Sequence, residues 1–290
     1  MKRTAIIVLS LLTVLLIGFV GFIGFMQWVH AGSVTGDDGV AAGYTDHVET
    51  GGPIEATYQA TGPHTVETRN VDAYTVVAPV GAGPWPAVVM VNGTATPASE
   101  YMPLLDHLAS WGFVVVGNED AQAGDGQSTL RTIEALADLE PRADVKRIGL
   151  YGHSQGGVGA FNAAAQSENV SAVYVASPAA ASIAKKNDWP YRVAELEMPV
   201  FFMAGDGRQD RMFVSPWESV EEAFNSTTGP GVLARRLGAD HPDVLEFGDA
   251  YATAWLSWQL CDDQSAAPAF QGPSPEIANN SHWAQVHIRD

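Results

Sequence analysis

Gly152-His153-Ser154-Gln155-Gly156 is the stretch that decides the fold, because it places a serine between two glycines at the end of an apolar run. Residues 147–151 are typical of a short buried strand, and residues 157–165 have the small side chains of a closely packed helix. A strand, a sharp turn and a helix in this order hold a serine as a nucleophile. The glycines leave room for the strained serine backbone. The pattern predicts a nucleophile elbow with Ser154 at its tip.

Composition limits the class of protein and its partners. With 290 residues, 46% of them hydrophobic, the chain can bury one large core without a second folded domain. A net charge of −18 disfavours nucleic acid and anionic membrane surfaces as partners. Cys261 is the single cysteine, so no internal disulfide can form, and no Cys/His cluster has the spacing of a structural zinc site. We expect a monomer without a structural zinc site.

Residues 1–31 form a separate segment. Lys2 and Arg3 precede an almost unbroken apolar stretch, residues 5–29, which has the length of a membrane span. Val29-His30-Ala31 also suits cleavage by a signal peptidase. An uncleaved anchor and a cleaved export signal therefore both remain open. In either case we expect the rest of the chain outside the cytoplasmic membrane, because the positive charges stay inside. The membrane is then a partner only through this segment.

Predicted strands and helices alternate through the rest of the chain. Strand-length apolar runs lie at residues 87–91, 113–116, 147–151, 170–176, 199–204 and 232–237, and helical spacing occurs at 99–111, 129–139, 157–165, 216–225 and 244–260. Residues 55–61 and 74–78 are typical of strands at the edge of a sheet. This alternation predicts an α/β fold with a mostly parallel central sheet and helices on both faces. The segment between residues 176 and 199 is too short for a large lid.

Ligands of such a sheet bind at the carboxyl ends of its strands, so candidate residues should follow strands directly. After the run at 87–91, the backbone N–H of Thr94 is a candidate oxyanion donor opposite that of Gln155. After the run at 199–204 stand two carboxylates, Asp210, our first choice for a triad acid, and Asp206, the alternative.

The base of a triad should follow the nucleophile and the acid in the chain. Of the eight histidines, only His241 lies after both and directly between a predicted strand and a predicted helix. His153, inside the elbow, is expected to be a packing residue that points away from Ser154. The residues alone thus predict a triad of Ser154, His241 and Asp210, with Asp206 as the alternative acid.

These features together resemble the α/β-hydrolase superfamily, and more narrowly its branch of cutinase-like polyester hydrolases, chlorophyllase-like proteins and dienelactone-hydrolase-like esterases. The resemblance is strongest at residues 89–94, 107–116, 152–157, 252–256 and 269–272. It implies an α/β-hydrolase catalytic domain at residues 53–290 and serine-dependent hydrolysis without a cofactor. Residues 32–52, before this domain, are rich in Gly, Asp and Thr, a composition typical of a flexible linker. It carries over the same roles to Ser154, Asp210, His241, Thr94 and Gln155.

Two departures from the family pattern bear on the site. The acid loop, residues 205–216, is longer than usual, which leaves Asp206 open as the acid. Many polyester hydrolases have a tryptophan where this chain has Ser177-Pro178-Ala179, so no aromatic clamp for the substrate is expected there.

The sequence therefore predicts an exported serine hydrolase, membrane-anchored or secreted, that cleaves small or polymeric carboxylic esters through an acyl-serine. A peptidase or amidase on the same scaffold is one alternative, since the fold does not fix the leaving group. The other is a non-catalytic, membrane-anchored binding protein, which would require a broken triad.

Overall fold

The computed structural model describes residues 44–290, which fold around a nine-stranded sheet. The predicted anchor or signal segment, residues 1–31, and residues 32–43 of the predicted linker lie outside the described residues. Within residues 44–290, no helix is long and apolar enough to cross a membrane.

Between residues 85 and 261, helices separate successive strands, as the apolar runs predict. The strands are β1 (Val66–Val71), β2 (Tyr74–Pro79), β3 (Trp85–Val91), β4 (Val114–Asn118), β5 (Ala143–His153), β6 (Val170–Ala176), β7 (Val200–Gly205), β8 (Gly231–Arg236) and β9 (Trp283–Arg289). The helices are α1 (Pro53–Gln59), α2 (Met102–Ser110), α3 (Gln127–Leu139), α4 (Gln155–Ala164), α5 (Ala181–Lys186), α6 (Arg208–Met212), α7 (Trp217–Ser226), α8 (Val244–Cys261) and α9 (Glu276–Asn279).

The sheet has the order β1-β2-β4-β3-β5-β6-β7-β8-β9. Strands β3 to β8 run parallel, while β1, β2 and β9 pair antiparallel at the two sides. Each face of the sheet has its own apolar core. Leu105 of α2 and Trp255 of α8 pack in one, and Leu136 of α3 and Phe161 of α4 pack in the other. The predicted α/β fold, with a mostly parallel sheet and helices on both faces, is confirmed.

The prediction of an edge strand at residues 55–61 is wrong, because α1 lies there. Pro53 opens this helix, and the carboxylate of Glu276 accepts the N–H groups of Ile54 and Glu55, each at 2.8 Å. Glu276 is 222 residues away from Ile54 in the chain. The helix is therefore stabilised by a tertiary contact that has no local sequence signal.

The described part of the predicted linker, residues 44–52, packs on the domain. Val48 is buried, and its carbonyl accepts a hydrogen bond from Gln59 Nε2 at 2.7 Å. The carbonyl of Glu49 accepts a hydrogen bond from the Arg236 guanidinium at 3.0 Å. The packed domain therefore includes residues before 53.

A buried ion pair connects α2 to α8. His107 Nδ1 lies 2.6 Å from the carboxylate of Asp249, and its Nε2 lies 3.0 Å from the carbonyl of Ala60. Both ring nitrogens face oxygen acceptors, an arrangement that favours the protonated ring. Burial lowers the pKa of His107, but the Asp249 carboxylate and the Ala60 carbonyl outweigh it, so the pKa lies above its ordinary value.

Replacing His107 by leucine should destabilise the fold strongly, because Asp249 would keep a buried charge without a partner. We expect the His107→Leu variant to lose about 3–5 kcal/mol of unfolding free energy in urea. The double variant His107→Leu/Asp249→Leu should regain part of this loss. A single variant that unfolds at the wild-type urea concentration would contradict an ionic pair.

The pair should also give stability a defined pH dependence. A folded-state pKa above the unfolded value means that the His107 contribution is complete below about pH 6.5 and is lost as the pH rises through the folded pKa. The unfolding free energy of the wild type should therefore fall relative to the double variant as the pH rises. A difference that is constant across this range would be the contrary result.

Candidate active site

The turn between β5 and α4 holds Ser154 in a strained conformation, with φ 58° and ψ −120°. Close packing explains the glycines around it. A Cβ on Gly156 would lie 1.9 Å from the carbonyl oxygen of Val91, and one on Gly152 would lie 2.6 Å from the carbonyl oxygen of Gly156. The turn is thus packed against the end of β3, and the serine side chain lies at the carboxyl edge of the sheet.

Two further strands bring an acid and a base to this serine. His241, in the loop after β8, has Nε2 at 3.0 Å from Ser154 Oγ and Nδ1 at 2.7 Å from Asp210 Oδ1. All three side chains are buried, Asp210 completely. With the proton of Nδ1 donated to Asp210, Nε2 is free to accept the hydroxyl proton of Ser154.

The two candidate acids have different partners. Asp210, in α6, contacts His241 and also accepts hydrogen bonds from the N–H of Gly205 at 2.9 Å and from the hydroxyl of Ser177. The carboxylate of Asp206 instead accepts the N–H of Gly238 at 2.8 Å. The geometry therefore favours Asp210 as the partner of the base.

Ser177 is a site residue that sequence reasoning missed. It follows β6 directly, where the family pattern suggested only the absence of an aromatic clamp, and its hydroxyl donates to the acid. The sequence signal that could have identified it is its position at the carboxyl end of a predicted parallel strand.

The two candidate oxyanion donors both have unused N–H groups. Among the contacts of residues 44–290, neither the N–H of Thr94 nor that of Gln155 has a hydrogen-bond acceptor. The amides beside Thr94 are engaged, since Gly93 donates to the hydroxyl of Tyr101 at 2.8 Å and Ala95 donates to a carbonyl at 3.3 Å. The elbow packs against the end of β3, so the loop that carries Thr94 begins beside the serine.

His153 packs on the base. Its ring stacks on that of His241 with 5.1 Å between the centroids, and its Nδ1 is hydrogen-bonded to the Tyr101 hydroxyl at 3.0 Å. Burial and the neighbouring His241 lower the pKa of His153 to about 3, so the ring is neutral. Tyr101 therefore links Gly93, which precedes Thr94, to the side chain that packs on the base.

The segment that follows the strand beside the elbow is short. Between β6 and β7 the chain forms only α5 and a short 3₁₀ helix (Val193–Glu195), so no large lid is present among the residues that the structure describes. The start of this segment is fixed to the elbow, because the N–H of Ala179 donates to the carbonyl of Ser154 at 3.0 Å.

Comparison with known families agrees with this fold. Residues 45–187 match the model of the chlorophyllase family. The chain has the α/β-hydrolase fold, and this part of it is similar to the chlorophyllase-like branch of that superfamily. No curated protein matches it. The matched region contains the elbow with Ser154 and ends before Asp210 and His241. The match confirms the resemblance to the chlorophyllase-like branch, which implies a hydrolase with esterase-type activity.

In this α/β-hydrolase, replacing each candidate acid in turn should separate them. We expect Asp210→Asn to lower kcat for a nitrophenyl ester on the order of 10⁴-fold, because the base loses the partner that fixes its tautomer. Asp206→Asn keeps an oxygen that can accept the Gly238 N–H and should stay within about tenfold of the wild type. The reverse order of the two effects would assign the acid to Asp206.

Removing the Tyr101 hydroxyl should disturb the oxyanion side of the site. The Tyr101→Phe variant leaves the buried Gly93 N–H without an acceptor, which weakens the placement of the neighbouring Thr94 N–H. We expect kcat to fall by about 10- to 100-fold, less than for complete loss of an oxyanion donor. The matched control is Tyr58→Phe, because the Tyr58 hydroxyl binds Asp263 elsewhere in the fold. Equal rates in the two variants would refute this role.

Proposed function

We propose that this α/β-hydrolase cleaves carboxylic esters through an acyl-serine intermediate. The observation that supports this most is the unbroken hydrogen-bond chain from Asp210 through His241 to Ser154, with contacts of 2.7 and 3.0 Å. A strained serine on an elbow, a base in reach and a buried acid behind the base are the parts that acyl transfer requires.

In the first half of the reaction, Ser154 Oγ attacks the ester carbonyl carbon while His241 Nε2 takes the hydroxyl proton. Asp210 stabilises the resulting imidazolium. The N–H groups of Thr94 and Gln155 bind the oxyanion. The tetrahedral intermediate then collapses, His241 returns the proton to the alcohol oxygen, and the alcohol leaves an acyl-serine behind.

In the second half, a water molecule replaces the alcohol. His241 accepts a proton from this water, whose oxygen attacks the acyl carbon. Collapse of the second intermediate releases the carboxylic acid and returns the proton to Ser154 Oγ. The cycle restores all three residues and consumes only ester and water.

The proposed substrates are small-molecule or polymeric esters, including those with a bulky acyl or alcohol group. The short segment between β6 and β7 supports this proposal, because it leaves the edge of the sheet uncovered by a lid. We further propose that the enzyme acts as a monomer outside the cytoplasmic membrane, anchored by residues 1–31 or secreted after their cleavage. The apolar stretch at 5–29 supports export, and fractionation of the cells with N-terminal sequencing of the product would distinguish the two forms.

The direct test is hydrolysis of nitrophenyl esters from short to long acyl chain, beside the matched nitroanilides, by the wild type and by Ser154→Ala. We expect ester turnover in the wild type and a loss of at least about 10⁴-fold in the variant. Turnover of the anilides alone would replace the esterase by an amidase. Absence of any turnover above the variant would leave a binding protein.

A further inference from the structure

We propose that Asp240 is a positioning residue that fixes the acid and the base of the triad relative to each other. This inference rests on the proposed function for its kinetic consequence, but its structural basis is independent of the substrate. Asp240 lies in the base loop, defined here as residues 237–243, next to His241 and opposite the acid loop of residues 205–216.

One oxygen of Asp240 contacts the backbone of both loops. Its Oδ1 accepts the N–H of Gln209 at 2.8 Å and lies 3.4 Å from the N–H of Asp210. The same oxygen accepts the N–H of His241 at 2.9 Å. The backbones of the acid and of the base are therefore bound to a single anionic atom, and hydrogen bonds to an ionised acceptor are shorter and stronger than neutral ones.

The residue before helix α6 supplies no capping side chain of its own. Helix α6 has only five residues, and Gly207, which precedes it, has no side chain to accept its first N–H groups. Asp240 supplies the acceptor from the other loop. The position of the Asp210 carboxylate, 2.7 Å from His241 Nδ1, thus depends on a side chain of the base loop.

Gly207 gives an independent indication that Asp240 must occupy this place. Its backbone, with φ −68° and ψ 172°, suits any residue. Nevertheless, a Cβ on Gly207 would lie 2.3 Å from both Cβ and Cγ of Asp240. The glycine is required because the Asp240 side chain rests directly on it.

Other contacts connect the two loops without reaching the acid or the base. The N–H of Gly207 donates to the carbonyl of Ala239 at 2.9 Å, and Asp206 accepts the N–H of Gly238. These contacts should keep the loops together when Asp240 is changed. Loss of Asp240 should then misplace the triad rather than unfold the domain, and a misplacement of about 1 Å can cost about 100-fold in rate.

The test compares Asp240→Ala, Asp240→Asn and Gly207→Ala with a charge control, Asp243→Asn, in the same loop. Asp243 accepts the N–H of Asp240 and touches neither the acid nor the base, and its asparagine keeps an acceptor oxygen. We expect Asp240→Ala to lower kcat by about 10- to 100-fold with KM within about twofold and little change in the thermal midpoint. Asp240→Asn should recover most of the loss, Gly207→Ala should reproduce it, and Asp243→Asn should match the wild type.

A second measurement does not depend on the substrate. A proton on His241 Nδ1, which lies 2.7 Å from Asp210 Oδ1, should give a far-downfield proton NMR signal that can be assigned by its loss in His241→Ala. We expect this signal to shift or broaden in Asp240→Ala and in Gly207→Ala, and to be retained in Asp240→Asn and in Asp243→Asn. An unchanged signal and unchanged kcat in Asp240→Ala would overturn the positioning role. If the wild type hydrolyses no ester, the proposed function fails, and the NMR comparison alone decides the role of Asp240.

Discussion

The packing of the elbow against the end of β3 is the constraint on which the rest of the site depends. Gly156 lies so close to the carbonyl of Val91, and Gly152 so close to Gly156, that no side chain fits at either position. This packing holds Ser154 at φ 58°, a backbone strain on the order of 1–3 kcal/mol that the surrounding sheet sustains. The serine hydroxyl and the N–H of Gln155 are thereby fixed at the carboxyl edge, and every other group must be brought to them.

Sheet order brings those groups from successive strands. Strands β5, β6, β7 and β8 are neighbours, and the residues that follow them are Ser154, Ser177, Asp210 and His241. Each loop therefore contributes one side chain, and each contacts a residue from another of these loops: Ser177 donates to Asp210, and His241 contacts both Asp210 and Ser154. A parallel sheet thus converts residues far apart in the chain into one hydrogen-bonded row. The strength of the arrangement depends on how firmly the loops after β7 and β8 are held together.

Much of this was predictable from local patterns. Continuous apolar runs predicted the parallel strands, because such strands are covered on both faces. The elbow motif, together with the order of serine, acid and histidine in the chain, predicted that Ser154 and His241 would lie together. Tertiary contacts account for what was missed. Helix α1 depends on a cap from Glu276, and the exposed edge strand β1 has few apolar residues. The contacts of Ser177, and the stacking of His153 on His241, arise only when separate loops meet.

The central claim is that His241 activates Ser154 as a nucleophile, and covalent labelling tests it most directly. The protein is incubated with a nitrophenyl alkylphosphonate, and the adduct is located by intact mass and peptide mapping. The account predicts one phosphonyl group per chain, on Ser154, formed far more slowly in His241→Ala. A label on another residue, no label at all, or an equal rate in the two proteins would contradict it.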